Sequence, residues 1–237
     1  MKFFNLMLGT FVCVALLPGV CLAEKSLFYD KIYRKVDQHQ AISLRATNSF
    51  KTPRIIELVK DGSDEAIRAL KQGAQHEKNG EFLLLTDNND NNVFHVAKNA
   101  QTVQVLAGLF RKFYGAKASQ QLSGLINNKR NKSGETPLMA QVNAAHADTF
   151  KPLYNFSLLK QKNDIARYQL AGQRGMLPQI QKQNKSFYCK EIRQLASANG
   201  ITLLQAAQIQ AAYHTDRPEL LGLAQEIAQK IPCLVND

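Results

Sequence analysis

The chain has 237 residues, 45% of them hydrophobic, and carries 30 lysines and arginines against 19 aspartates and glutamates, a formal net charge of +11. That apolar share supplies a core for one domain or one array of repeats, and it excludes collagen-like, wholly disordered and coiled-coil classes.

Residues 1–23, MKFFNLMLGTFVCVALLPGVCLA, read as a cleavable export signal. Lys2 gives the positive n-region, Phe3 to Leu17 is an apolar run broken only by Asn5 and Thr10, and Pro18-Gly19 ends it. Cys21 and Ala23 place small residues at −3 and −1, so cleavage is expected after Ala23. An uncleaved membrane anchor is the competing reading, but the run is short for a span and a helix breaker follows it. A lipid anchor on Cys21 competes too, with Val20 where that motif wants a small residue. Removal of 1–23 takes out one lysine and no acid, leaving 29 basic residues against 19 acidic, a net +10. Cys189 and Cys233 then remain, 44 positions apart, in a compartment that permits disulfides. They are a candidate bridge worth about 2–4 kcal/mol, or else two buried thiols.

Beyond the signal, apolar residues at helical spacing from Phe28 to Val36 predict a leading helix over 27–45, within a leading helix and linker segment, 24–51. Residues 52–75, TPRIIELVKDGSDEAIRALKQGAQ, predict two short helices. Thr52 is the expected cap and Pro53 the first helical residue. Gly62 allows a left-handed exit, Ser63 caps the next helix, and Asp64 and Glu65 sit against its positive end. Residues 87–115 repeat the pattern, with a polar turn, a short helix from Val93 and a longer one closed by Gly115. An inserted helix is expected at 119–126. Residues 131–160 repeat it again, with Thr136 capping, Pro137 in the first helical position and Asp148 a cap for the second helix. Weak helices at 164–171 and 176–183 precede a last pair at 200–231, whose helices start at Thr202 and Pro218.

These segments resemble ankyrin repeats, whose hallmark is a turn, then Thr-Pro-Leu-His-x-Ala, then a second antiparallel helix. Gly134-Glu135-Thr136-Pro137-Leu138-Met139-Ala140 carries the resemblance most fully. Phe94-His95-Val96-Ala97 keeps the His and Ala, and Gly200-Ile201-Thr202-Leu203-Leu204 keeps the Gly, Thr and Leu. Leu58 to Ile67 is similar to the exit and second-helix start of a capping repeat. Against a ~33-residue period, Phe94 to Leu138 spans 44 positions and Leu138 to Leu204 spans 66. The first interval has room for the inserted helix, and the second for a degenerate repeat at 164–183. The expected fold is all-α, an ankyrin-like stack of antiparallel helix pairs (an α-solenoid) over 52–237 with an extra N-terminal helix. A helical hairpin stack of another kind is the alternative.

The resemblance implies protein binding along the turns and inner helices, by a monomer. The projecting turns are expected at 76–92 and 127–135. Candidate contacts are Asp87, Asn89, Asp90 and Asn92 on the first, and Lys129, Arg130 and Lys132 on the second. The basic turn has two readings, a docking site for an acidic protein or anionic surface, or a solvated turn that keeps the chain soluble. No nucleic-acid motif occurs. No catalytic, cofactor or metal site is predicted: no hydrolase, zinc or phosphate-loop motif appears. His95 sits where the family's histidine supports the turn by hydrogen bonding. The sequence thus predicts an exported, non-catalytic interaction scaffold, in the periplasm or released, and a secreted effector if the source is a host-associated bacterium. A binder of anionic envelope or lipid surfaces is the alternative, and an unrecognised hydrolase the third class.

Overall fold

The computed structural model describes residues 43–159 and 200–230, with residues 162, 163, 165, 166, 178 and 179 between them. The expected export signal, most of the expected leading helix, and both Cys189 and Cys233 lie outside the described residues. Among the described residues the chain is helical and has no strand; β-type pairing is confined to isolated bridges between Thr47 and Pro53 and between Thr86 and Asn92. No helix among them is long and apolar enough to cross a membrane.

Helix α1 (Arg54–Asp61) buries Ile55, Ile56, Leu58 and Val59. Its cap is Pro53, not Thr52: the proline sits in extended backbone and ends the preceding bridge, so the helix begins one residue later than the sequence suggests. Gly62 leaves α1 at φ 64° and donates its N–H to the Leu58 carbonyl at 3.0 Å. Only glycine fits here on a second count, because an added Cβ would lie 2.4 Å from the Lys98 Cβ. Ser63 then caps α2 (Asp64–Gly73) as expected, its hydroxyl oxygen accepting the Ala66 N–H. At the front edge, residues 43–45 do not continue a leading helix. Leu44 is fully buried in a turn, and its carbonyl accepts the Ile55 N–H.

Residues 76–92 are not one projecting turn. A short 3-10 segment, Gly80–Leu84, drives Phe82 and Leu83 fully into the core, and Phe82 meets Phe113 edge to face. Nor does a helix form at Val93. Asn99 caps the next helix by accepting the Thr102 N–H, which leaves only a helical turn over Val93–Val96. That turn still buries Val93, Phe94 and His95. Helix α3 (Ala100–Tyr114) follows, with Phe110 stacked between Phe94 and Tyr114, and Gly115 closes it at positive φ. The inserted helix is present as α4 (Ala118–Asn127).

Helix α5 (Pro137–Asn143) starts as the sequence predicts, with Thr136 accepting the Met139 N–H and Pro137 in the first helical position. Helix α6 (Ala147–Ser157) does not. No side chain caps it, and Asp148 lies in its first turn with the carboxylate turned to the Ala100 N–H at 2.9 Å, so this acid serves the start of α3. Helix α7 (Leu203–Tyr213) opens on a reciprocal capping box between Thr202 and Gln205, and α8 (Pro218–Lys230) opens on Pro218.

The helices pack on one another both in sequence and across it. Helix α1 packs on α2, α2 on α3, α3 on α4 and α6, α5 on α6, and α7 on α8. Helix α5 also packs directly on α7, and α6 on α8. Helices of the 137–157 pair thus meet those of the 203–230 pair directly, while the degenerate repeat expected at 164–183 lies almost wholly outside the described residues. Ala206, Ala207 and Leu220 are buried in the last pair.

Candidate functional site

Asn48, Asp87 and Asn131 each open a five-residue turn of one construction. In each, the first residue's N–H donates to the fifth residue's carbonyl (Thr52, Asn91 and Glu135) at 3.0–3.1 Å, and the fourth residue's N–H donates back to the first carbonyl at 2.9–3.0 Å. The fourth residue has positive φ: Lys51 at 58°, Asp90 at 59°, Gly134 at 75°. The first side chain locks the loop. Asn48 Oδ1 accepts from the Phe50 and Thr52 N–H groups, Asp87 Oδ1 from Asn89 and Asn91, and Asn131 Oδ1 from Glu135. Gly200, also at positive φ (75°), precedes Thr202 at the spacing by which Gly134 precedes Thr136.

The three turns are tied in series. The Asn88 side-chain amide donates to the Phe50 carbonyl, the Lys132 N–H to the Asn89 carbonyl at 2.9 Å, and the Asn131 side-chain amide to Asn91 Oδ1 at 3.0 Å. The result is a row of fixed tips with Phe50 and Lys51, then Asn89 and Asp90, then Lys132 and Ser133 exposed on it. Phe50 is 76% exposed although its own N–H and carbonyl are both held.

Behind the tips runs a buried polar seam. His95 Nδ1 accepts the Asn92 N–H at 3.1 Å, and its Nε2 lies 3.0 Å from the Glu135 carbonyl in the next turn. Fully buried Gln141 donates its amide to the carbonyls of Phe94 and His95, at 3.1 and 2.9 Å. Its Oε1 faces the Thr149 hydroxyl at 2.9 Å and His146 Nδ1 at 3.0 Å. The Thr149 hydroxyl also lies 2.7 Å from the His146 carbonyl, so its single hydrogen serves one of two acceptors. Burial holds the proton affinity of both imidazoles below the ordinary value, and the charges of Lys98 and Arg217 add to this at His146.

The expected contact residues divide accordingly. Asn89, Asp90, Lys129, Arg130 and Lys132 face solvent, and the Arg130 guanidinium reaches the Gly134 carbonyl. Asn92 does not belong with them. It is 1% exposed, with Oδ1 accepting from Phe94 and His95 and its amide on the Leu125 carbonyl, so it caps a turn and cannot meet a partner. Asp87 is half-buried and its carboxylate is spent on its own loop. The reading of the sequence missed Phe50 and Lys51, because Asn48 to Thr52 lacks both the Gly and the Thr-Pro spacing of the turn at 131–137. The Asx residue three positions before a left-handed one is the signal that marks all three. Among the described residues no group of three His, Cys, Asp or Glu side chains is placed to hold a metal ion.

No protein-family model matches the chain, and comparison with curated proteins and with solved structures gives no match.

Proposed function

We propose that this chain is a divergent ankyrin-type repeat scaffold, exported by the signal at 1–23, that binds another protein along the row of turns. The observation that carries the reading is the thrice-repeated, side-chain-locked turn, linked tip to tip and backed by helix pairs in serial contact. A repeat whose apolar face is spent on its neighbours has its turns and inner helices left for recognition. Fixed tips lose little conformational entropy on binding, which favours such a row over a mobile loop. The side chains offered are Phe50, Lys51, Asn89, Asp90, Lys129 and Lys132, an aromatic anchor at one end, an acid on the middle tip and basic charge at the other end.

Co-purification from envelope and host-cell extracts tests this. A single partner that is recovered by the native chain, and lost when Phe50, Asp90 and Lys132 are replaced together in a folded variant, supports the scaffold. Extracts that yield no partner, or a partner retained by that variant, refute it. The exposed Lys129-Arg130-x-Lys132 cluster on a chain of net charge +11 supports a second reading, adhesion to an anionic surface. In that case binding to acidic vesicles falls steeply with salt, and indifference to salt excludes it.

A further inference from the structure

We infer that the junction between residues 87–97 and 131–143 is an acid-labile latch, opened by protonation of His95. The ring bridges two turns, and each of its nitrogens faces a backbone group of fixed polarity. Nδ1 lies 3.1 Å from the Asn92 N–H, which can only donate, and Nε2 lies 3.0 Å from the Glu135 carbonyl, which can only accept. The arrangement is complete only for a neutral ring carrying its hydrogen on Nε2. A second proton lands on Nδ1 and faces the Asn92 hydrogen head on. The ring must then swing away, and the bond to Glu135 goes with it.

Among the described residues, the acids that face the ring are already engaged. The Asp87 and Glu135 carboxylates both favour the charged ring. Each is engaged elsewhere, Asp87 by the Asn89 and Asn91 N–H groups and the Asn91 amide, Glu135 by the amides of Asn131 and Asn143. From α5, Gln141 directs its amide at the Phe94 and His95 carbonyls, and from α4 the Leu125 carbonyl meets the Asn92 amide; neither contact is ionic. Across Gln141 stand His146 and the cations Lys98 and Arg217, with Asp148 facing His146 and Glu219 paired to Arg217 at 2.8 Å. Burial prevails at His95, so the closed junction takes up its proton only below the ordinary imidazole value. An opened or unfolded chain takes it up near 6.5. The open form thus binds more protons as pH falls below 6.5, and stability present above that value is lost from there down to the pKa of the closed state. Opening separates the Lys132 N–H from the Asn89 carbonyl, so the tips at 89–90 and 132 lose their register.

Amide exchange and ring-nitrogen NMR on the full chain, between pH 7.5 and 5.0, test the latch. At pH 7.5 the His95 ring is expected as the Nε2–H tautomer. Below pH 6.5 the exchange of the Asn92 and Lys132 amides, corrected for the intrinsic pH effect, rises relative to Ala69 and Leu70 of α2 by up to about tenfold per pH unit. His95→Gln removes the titration while keeping an amide donor for the Glu135 carbonyl, and in it the relative rise disappears. A His95 ring that titrates at or above the ordinary value, or amides whose relative protection is unchanged by acid, overturns the proposal. An equal rise in His95→Gln does the same. If His95→Gln does not fold, the ring tautomer and the native-chain exchange decide the matter alone.

Discussion

Gln141 and His95 are joined across 46 positions of sequence, the Gln141 side-chain amide donating to the His95 carbonyl at 2.9 Å. The same amide serves the Phe94 carbonyl, and the same side chain's oxygen lies 2.9 Å from the Thr149 hydroxyl and 3.0 Å from His146 Nδ1. One buried residue thus joins the preceding turn to the second helix of its own pair.

Gln141→Leu is expected to destabilise the chain by about 2–4 kcal/mol, because the Phe94 and His95 carbonyls lose their donor in a buried site. Gln141→Glu is expected to be at least as harmful, since a carboxylate cannot donate to carbonyls. Chemical denaturation at pH 7.5 measures both. A loss below 1 kcal/mol in each would contradict this account of the seam.

The glycines give a paired test. Gly62→Ala combines left-handed backbone with a Cβ placed 2.4 Å from Lys98, and is expected to cost about 1–3 kcal/mol. Gly108 lies inside α3 with nothing within 4 Å of an added Cβ, so Gly108→Ala is expected to stabilise by about 0.5–1 kcal/mol. Thermal melts of the two variants should move in opposite directions.

The turns make a third prediction. Asp90 occupies the left-handed position that Gly134 fills in the next turn, so Asp90→Gly should stabilise by about 0.4–1 kcal/mol if no side-chain contact is lost. Asp87→Ala removes the acceptor for two backbone N–H groups and should cost about 1–2 kcal/mol. Comparable denaturation midpoints for these two variants would argue against a shared turn design.

Lys129 and Lys132 are exposed, and replacing both by glutamate should change stability by no more than about 0.5 kcal/mol. Any partner or surface that uses the basic turn should nonetheless be lost. Equilibrium unfolding alongside a binding assay separates the two effects.

The helix pairs were legible where local chemistry decides: Gly62 and Ser63 at the α1–α2 turn, Thr136-Pro137 at α5, Thr202 at α7, and the inserted α4. The misreadings share a cause, which is tertiary competition for a polar side chain. Asp148 looks like a cap for its own helix and is claimed by the N–H of Ala100, 48 positions earlier. Asn92 looks like an exposed turn residue and is buried by Leu125 of the inserted helix. A helix at Val93 fails because Asn99 starts the next one too soon. The tip row was half legible, since Asn48 and Lys51 build a turn without the glycine that makes the one at 131–135 recognisable.

The direct seating of α5 on α7 and of α6 on α8 bears on the order of assembly. Forty-five residues separate Ser157 from Leu203, so these neighbours in space are distant in the chain. Bringing chain positions so far apart together costs up to about 2 kcal/mol more entropy than closing a four-residue connection. The terminal hairpin should therefore dock last when the chain folds, onto a platform that the earlier, locally connected pairs have already built.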